Sequence, residues 1–149
     1  MIESIKNKVA IVGMGCTQFG ELWDKGYDDL VVDSTSEALA DAGVELKDIQ
    51  AMWLGYFGGD YTSGVTAGLL GSPLKVNYLP VTRVENGCAT GTEAVRGAAY
   101  AVAANVHDLV LAVGAEKLKD TGYGGLGTPS GRRFSPVYGA HLSPAAQHA

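Results

Sequence analysis

The stretch Pro80-Val-Thr-Arg-Val-Glu-Asn-Gly-Cys-Ala-Thr-Gly-Thr-Glu-Ala-Val95 decides how this chain is read. Its β-branched opening reads as a strand, Asn86-Gly87 breaks that strand, and the Ala-rich run behind it reads as a helix reaching to about Asn105. Cys88 falls at the junction. Unpaired N–H groups at a helix start, with the peptide dipoles aligned behind them, favour negative charge and so favour thiolate over thiol. A thiolate placed there attacks carbonyls, thioesters above all, and the same N–H groups can bind the oxyanion that forms. Thr90 with Glu93 three residues on fits a capping box, which predicts a helix starting close behind the cysteine. The competing reading makes Cys88 a small buried apolar residue, as free cysteines often are. The local pattern leaves both open.

Working outward, strands and helices alternate. The pattern predicts a strand near Val9–Gly13, a helix near Asp29–Ala42 stopped by Gly43, a strand near Ala51–Phe57 and a short helix around Val65–Leu70. The strand before Cys88, the helix after it and a strand over Leu109–Val113 complete the series. The order implies a layered α/β fold, with Val81–Val84 short enough for an edge strand. Ala94, Gly97, Ala98, Ala101 and Ala104 put small residues on neighbouring faces of the helix after Cys88. Such a helix buries little apolar area by itself and suits a place sandwiched inside a larger body, the alternative being an Ala-rich surface helix of high propensity. Residues 1–119 therefore read as an α/β domain. Residues 120–149 begin with a Gly-rich tract lacking helical or strand period, which reads as a loop. The tail reads as Ser143 at an N-cap, a Pro at the first helical position and the opening turn of a helix, an ending expected of a partial chain.

The chain has 149 residues, 46% hydrophobic and 18% charged, enough for one ordinary globular core. A net charge of −5 without a basic cluster argues against nucleic acid as the main partner. No apolar stretch approaches the roughly 20 residues needed to span a bilayer, and the N-terminus lacks the apolar core of a signal peptide. The two cysteines, Cys16 and Cys88, have no metal-ligand spacing, so neither a disulfide framework nor a metal site is expected, and the cytoplasm is the default location. Gly13-Met14-Gly15 invites a dinucleotide-binding reading, but Gln18 stands where the third glycine should be. Glu116 lies just past a strand end, where a hydrogen bond holding the following loop is preferred to proton transfer. Glu85 and Asn86 are expected to shape the turn.

Asn86-Gly87-Cys88-Ala89-Thr90-Gly91, followed by Val110-Leu-Ala-Val-Gly-Ala-Glu116, resembles the thiolase family, in particular its sterol-carrier-protein-type and archaeal-type branch. The likeness starts at Val9-Ala-Ile-Val-Gly-Met-Gly-Cys-Thr-Gln-Phe-Gly20 and continues through Ala42-Gly43-Val44 and Asp48-Ile49. It implies a thiolase-like layered fold of which this is the N-terminal half, with a mixed sheet, helices on its faces and the start of a loop domain. It also implies that Cys88 takes an acyl group from acyl-coenzyme A, a substrate rather than a permanently bound cofactor, in thiolytic cleavage or Claisen condensation. In this family the helix after the cysteine packs against its counterpart in the second half, and the loop domain covers the acyl-coenzyme A. Arg132 and Arg133 lie in that loop, where they either meet cofactor phosphates or stay solvated.

The resemblance further implies a homodimer, or an assembly with a small partner subunit. A related ketosynthase would more often follow its cysteine with a pair of serines, whereas Ala89-Thr90 follows here. The family's second half should bring a His in a Gly-His-Pro setting, a second Cys and an Asn-Glu-Ala-Phe segment. None of these strings occurs, and His107, His141 and His148 match no family catalytic position, so the isolated chain is expected to be inactive. Two alternatives stand beside the acyltransferase: a ketosynthase-type condensing enzyme fed by a carrier protein, and a non-catalytic subunit that binds acyl-coenzyme A or a thiolase partner.

Overall fold

The structure, a computed structural model, describes residues 4–57 and 67–117. Helix α1 spans Tyr27–Ala42, strand β1 Ala51–Gly55, helix α2 Gly68–Gly71, strand β2 Val81–Val84, helix α3 Thr90–Ala103 and strand β3 Val110–Gly114. Short 3-10 turns at Leu46–Asp48 and Gly87–Ala89 lead into β1 and α3. The strands form one sheet in the order β2-β1-β3, and both pairings are parallel. The layered α/β class expected from the alternation is what forms, with β2 at an edge. The antiparallel pair that a mixed sheet needs does not occur among the described residues.

A central parallel strand is covered on both faces, so it reads as a continuous apolar run, and Ala51-Met-Trp-Leu-Gly55 does. The register divides the faces. Met52 and Leu54 pair with Leu111 and Val113 and share their side of the sheet, where they meet Val31 of α1 and Leu70 of α2 in the main core. Val31, Met52, Leu54 and Leu70 are fully buried. Trp53 and Gly55 face the other way, onto α3. There the small residues of α3 have their use: Ala94 and Ala98 are buried, and a Cβ at Gly97 would stand 2.6 Å from Trp53 Nε1. The helix is small-faced first of all so that it can lie close to its own sheet. Its outer side leaves Val95 and Tyr100 exposed among the described residues.

Helix α1 starts two residues earlier than the periodicity predicts, because the Asp29 carboxylate reaches back to accept from Gly26 N–H at 2.8 Å. It stops where expected: Gly43 adopts the left-handed conformation at φ 67°, and Gly43 and Val44 N–H return to the carbonyls of Ala40 and Leu39. Only part of the expected Val65–Leu70 helix lies within the described residues, and there the helix runs over Gly68–Gly71.

The strand expected near Val9–Gly13 pairs with no described strand. Its continuation runs along α1 instead, so close that a Cβ at Gly13 would lie 2.4 Å from Ala38 O and one at Gly15 2.1 Å from Ser34 O. Met14 N–H donates to Asp41 Oδ2 at 2.9 Å and Cys16 N–H to Glu37 Oε2 at 2.8 Å. Just past the expected strand, the donors of Met14 and Cys16 are thus taken by carboxylates of the helix and not by a neighbouring strand. The same packing accounts for Gly13 and Gly15: they admit α1, and the next helix begins only at Tyr27, unlike the immediate helix of a dinucleotide-binding turn.

Candidate active site

Strand β2 ends at Val84, and the chain then turns through Glu85 and Asn86 into the 3-10 turn Gly87–Ala89 before α3 begins at Thr90. Asn86 has φ −153° and ψ 52°, and Gly87 has φ 50°, in the left-handed region that glycine adopts without strain. The turn is held by short bonds. Gly87 N–H donates to Glu85 Oε1 at 2.9 Å, Asn86 N–H to Thr90 Oγ1 at 2.8 Å, and Thr90 Oγ1 to Gly87 O at 2.7 Å. Ala89 N–H donates to Asn86 O at 2.9 Å and Thr90 N–H to Gly87 O. Glu85 and Asn86 shape the turn, as their positions suggested.

The capping box expected from Thr90 and Glu93 is not formed. The N-cap of α3 is Ala89, without a side-chain cap bond, and Thr90 is already the first helical residue. The 3-10 turn in front has moved the helix boundary, so the Thr90 hydroxyl points back at the turn and not forward at the helix amides. Glu93 accepts from Asn86 Nδ2 at 3.4 Å and pairs with Arg96 three residues on.

Cys88 is exposed at the tip of this turn and does not occupy the core in this chain. Of the backbone amides around it, those of Asn86, Gly87, Ala89 and Thr90 are engaged within the turn. The Cys88 amide has no hydrogen-bond partner among the described residues. The donors available to a developing oxyanion are thus fewer than a bare helix start suggests.

The same carboxyl end of the sheet carries a second polar group. Arg83 of β2 donates from Nε and Nη2 to Tyr56 O at 3.2 and 3.0 Å, and its guanidinium lies 5.3 Å from the centre of the Tyr56 ring. Glu116, just past β3, accepts from Phe57 N–H. The bond is structural, as preferred for Glu116, but it holds Phe57, two residues past the end of β1; the loop following Glu116, which it was expected to hold, lies outside the described residues. Tyr27 packs edge-on against Tyr56, their ring centres 5.3 Å apart. Burial pushes the Tyr27 phenol well above its usual range, with Tyr56 and Glu116 adding to the shift. Sequence reasoning missed the Tyr27–Tyr56–Arg83 group, whose members are scattered along the chain and share no local pattern.

The second cysteine sits elsewhere. Cys16 is exposed beside an open hollow of about 400 Å³ that Asp24, Lys25, Asp33 and Glu37 also line. A hollow of about 440 Å³ lies between α2 and β2, lined by residues such as Ser72, Lys75 and Val76. Cys88 lines neither, and the chemistry of its turn outweighs their size as a guide to the site. His107 stacks edge-on near Trp53, ring centres 6.4 Å apart, on the α3 side of the sheet. Among the described residues, no group of three or more His, Cys, Asp and Glu could hold a metal ion, and no helix is long and apolar enough to cross a membrane. Arg132, Arg133, His141, His148 and the 120–149 segment lie outside the described residues.

A layered α/β protein whose edge strand delivers an exposed cysteine onto a glycine turn at the head of a helix is the class that fold and site define. Residues 9–130 match the N-terminal domain of thiolase, and the chain belongs to that family. It is 38% identical to an acetyl-CoA acetyltransferase of Methanothermobacter thermautotrophicus over 118 residues, 75% of this chain and 30% of that protein. It is 34% identical to sterol carrier protein 2 of Bos taurus, over 76% of this chain and 21% of that protein. Among solved structures, the Ltp2-ChsH2(DUF35) aldolase superposes with a TM-score of 0.52 at 27% identity, over 66% of this chain and 25% of that one. The chain thus spans about a third or less of the length of these relatives.

Proposed function

We propose that this chain is the N-terminal half of a thiolase-type acyltransferase acting on acyl-coenzyme A, with Cys88 as the nucleophile. The observation that carries the reading is the exposure of Cys88 on a closed turn at the head of α3, in a chain that belongs to the thiolase family. The sulfur attacks the thioester carbonyl carbon as a thiolate. A new carbon–sulfur bond forms, the bond to the coenzyme A sulfur breaks, and coenzyme A leaves with the electron pair and takes up a proton. The oxygen carries the negative charge in between, and the unengaged Cys88 amide is the backbone donor this chain offers to it. The acyl group then passes to a second coenzyme A or to the carbon of a second acyl-coenzyme A. The proton-transfer groups for those steps belong to the part of the protein beyond this chain.

Arg132 and Arg133 are proposed as contacts to the coenzyme A phosphates in a loop domain formed from residue 120 onward. A homodimer is the expected assembly. A partner subunit has separate support, since the solved neighbour is named as a pair, Ltp2-ChsH2(DUF35).

The test is covalent labelling of the complete protein with radiolabelled acetyl-CoA. Labelling that maps to Cys88 and disappears in Cys88→Ala is expected. Normal labelling of that variant would remove the central claim, and labelling only from a carrier-protein donor would move the reading to a ketosynthase-type enzyme.

A further inference from the structure

We propose that Thr90, seated on Gly55, is a positioning residue that sets where the Cys88 sulfur stands; this rests on the acyl-enzyme reading given above. The side chain of Cys88 has no hydrogen-bond partner among the described residues, so its place follows from the backbone of its turn and its own χ1 rotamer, with no polar partner to hold it. That backbone includes the uncommon conformation of Asn86 and the left-handed Gly87, which neighbouring groups must hold. The Thr90 hydroxyl does so from both sides, accepting from Asn86 N–H at 2.8 Å and donating to Gly87 O at 2.7 Å. An ordinary cap would spend that oxygen on helix amides. Here both bonds go upstream, to the residues that lead into the cysteine.

Thr90 is itself fixed from below. It is 6% exposed, and it lies against the end of β1 where Gly55 has no side chain. A Cβ at Gly55 would stand 3.0 Å from Thr90 O and 3.2 Å from Thr90 Cγ2, tighter than ordinary contact. The glycine thus lets the first residue of α3 settle onto the central strand, and the hydroxyl passes that placement on to the turn. Sheet, helix start and cysteine form one chain of contacts.

The experiment uses the complete protein and two probes on the same cysteine. Radiolabelled acetyl-CoA demands the acyl-transfer geometry, whereas iodoacetamide demands only an accessible thiolate. Thr90→Val keeps the shape and removes the hydroxyl; its acyl labelling should slow by about 100-fold, the size expected of a displacement near 1 Å at a reacting atom. Its alkylation should continue at the wild-type rate, and Thr90→Ser, which keeps the hydroxyl, should restore labelling. Equal labelling of Thr90→Val and wild type, with Cys88→Ala unlabelled, overturns this inference and leaves the acyl-enzyme reading standing. An unlabelled wild type, or a labelled Cys88→Ala, overturns both. If Thr90→Val does not fold, Gly55→Ala decides in its place. It pushes on Thr90 while sparing the hydroxyl, so slowed labelling with normal alkylation supports the inference and wild-type labelling overturns it.

Discussion

Cys16 and Cys88 each follow a glycine that ends a β-branched run, and each is exposed, yet the two surroundings have little in common. Before Cys88 the run enters the sheet as β2, so it is paired along β1 and the chain arrives at the head of α3 with its direction fixed. Before Cys16 the run lies along α1, and the amide of the cysteine itself is taken by the Glu37 carboxylate. An oxyanion formed on an acyl group at Cys16 would lie near that carboxylate and Asp33, with the amide of the cysteine already engaged. One at Cys88 faces the start of a helix. The difference teaches that a glycine-cysteine pair after an apolar run becomes a candidate site only through the partners its backbone finds.

The largest expected effect breaks the comparison directly. In the complete protein, Cys88→Ala should lose covalent acyl labelling while Cys16→Ala keeps it, since only the first removes the proposed nucleophile. Peptide mapping that found the acyl group on Cys16 would invert the assignment. Next in size is Gly15→Ala, whose Cβ would meet backbone of α1 at 2.1 and 2.6 Å. Overpacking of that kind costs about 1–3 kcal/mol, and a urea denaturation midpoint unchanged by the substitution would show that the segment does not lie on α1.

Glu37→Ala tests the same segment more gently. It removes the acceptor of the Cys16 amide at an exposed site, where the loss should be about 1 kcal/mol or less, with acyl labelling of Cys88 unaffected. A fall in labelling would mean that the two cysteine regions are coupled.

The smallest effect appears only in alkali. The phenol of Tyr27 is raised above its ordinary value by burial, and its hydroxyl has no hydrogen-bond partner among the described residues. An acid whose folded-state value is raised holds its proton longer in the folded state. Its contribution is intact below the unfolded value of about 10 and is lost as pH climbs from there toward the folded value. Tyr27→Phe should therefore be at least as stable as the wild type near neutrality, since it removes a buried hydroxyl, and lose less stability above about pH 10. Parallel pH–stability curves for the two proteins would contradict the burial of this phenol.

Much of this was legible along the chain because it depends on near neighbours. Gly43 stops α1 by a left-handed turn that a side chain would strain, and the sequence shows that glycine where the periodicity ends. The break at Asn86-Gly87 and the helix behind it are equally local. Val81–Val84 is short, and a short strand suits an edge. Thr90 was visible as a residue of consequence but its partners were not. Whether its hydroxyl serves the helix or the turn depends on a 3-10 turn that shifts the helix boundary, and no residue pattern announces that turn. Gln18 already counted against a dinucleotide turn at Gly13 and Gly15, but sequence cannot show that a helix starting at residue 27 comes back to lie on those glycines.

By itself, then, the sequence determined the alternation of strands and helices, the stop of α1, the glycine break before Cys88 and the family resemblance, all of which follow from residue type at short spacing. Tertiary structure alone decided that Val9–Gly13 joins no described strand, that α3 presses its small residues on Trp53, and that Gly55 lies beneath Thr90. Those outcomes turn on which groups meet across long stretches of chain. A backbone donor goes to whichever acceptor packing brings within reach, and a missing Cβ matters only when another backbone comes to fill its place.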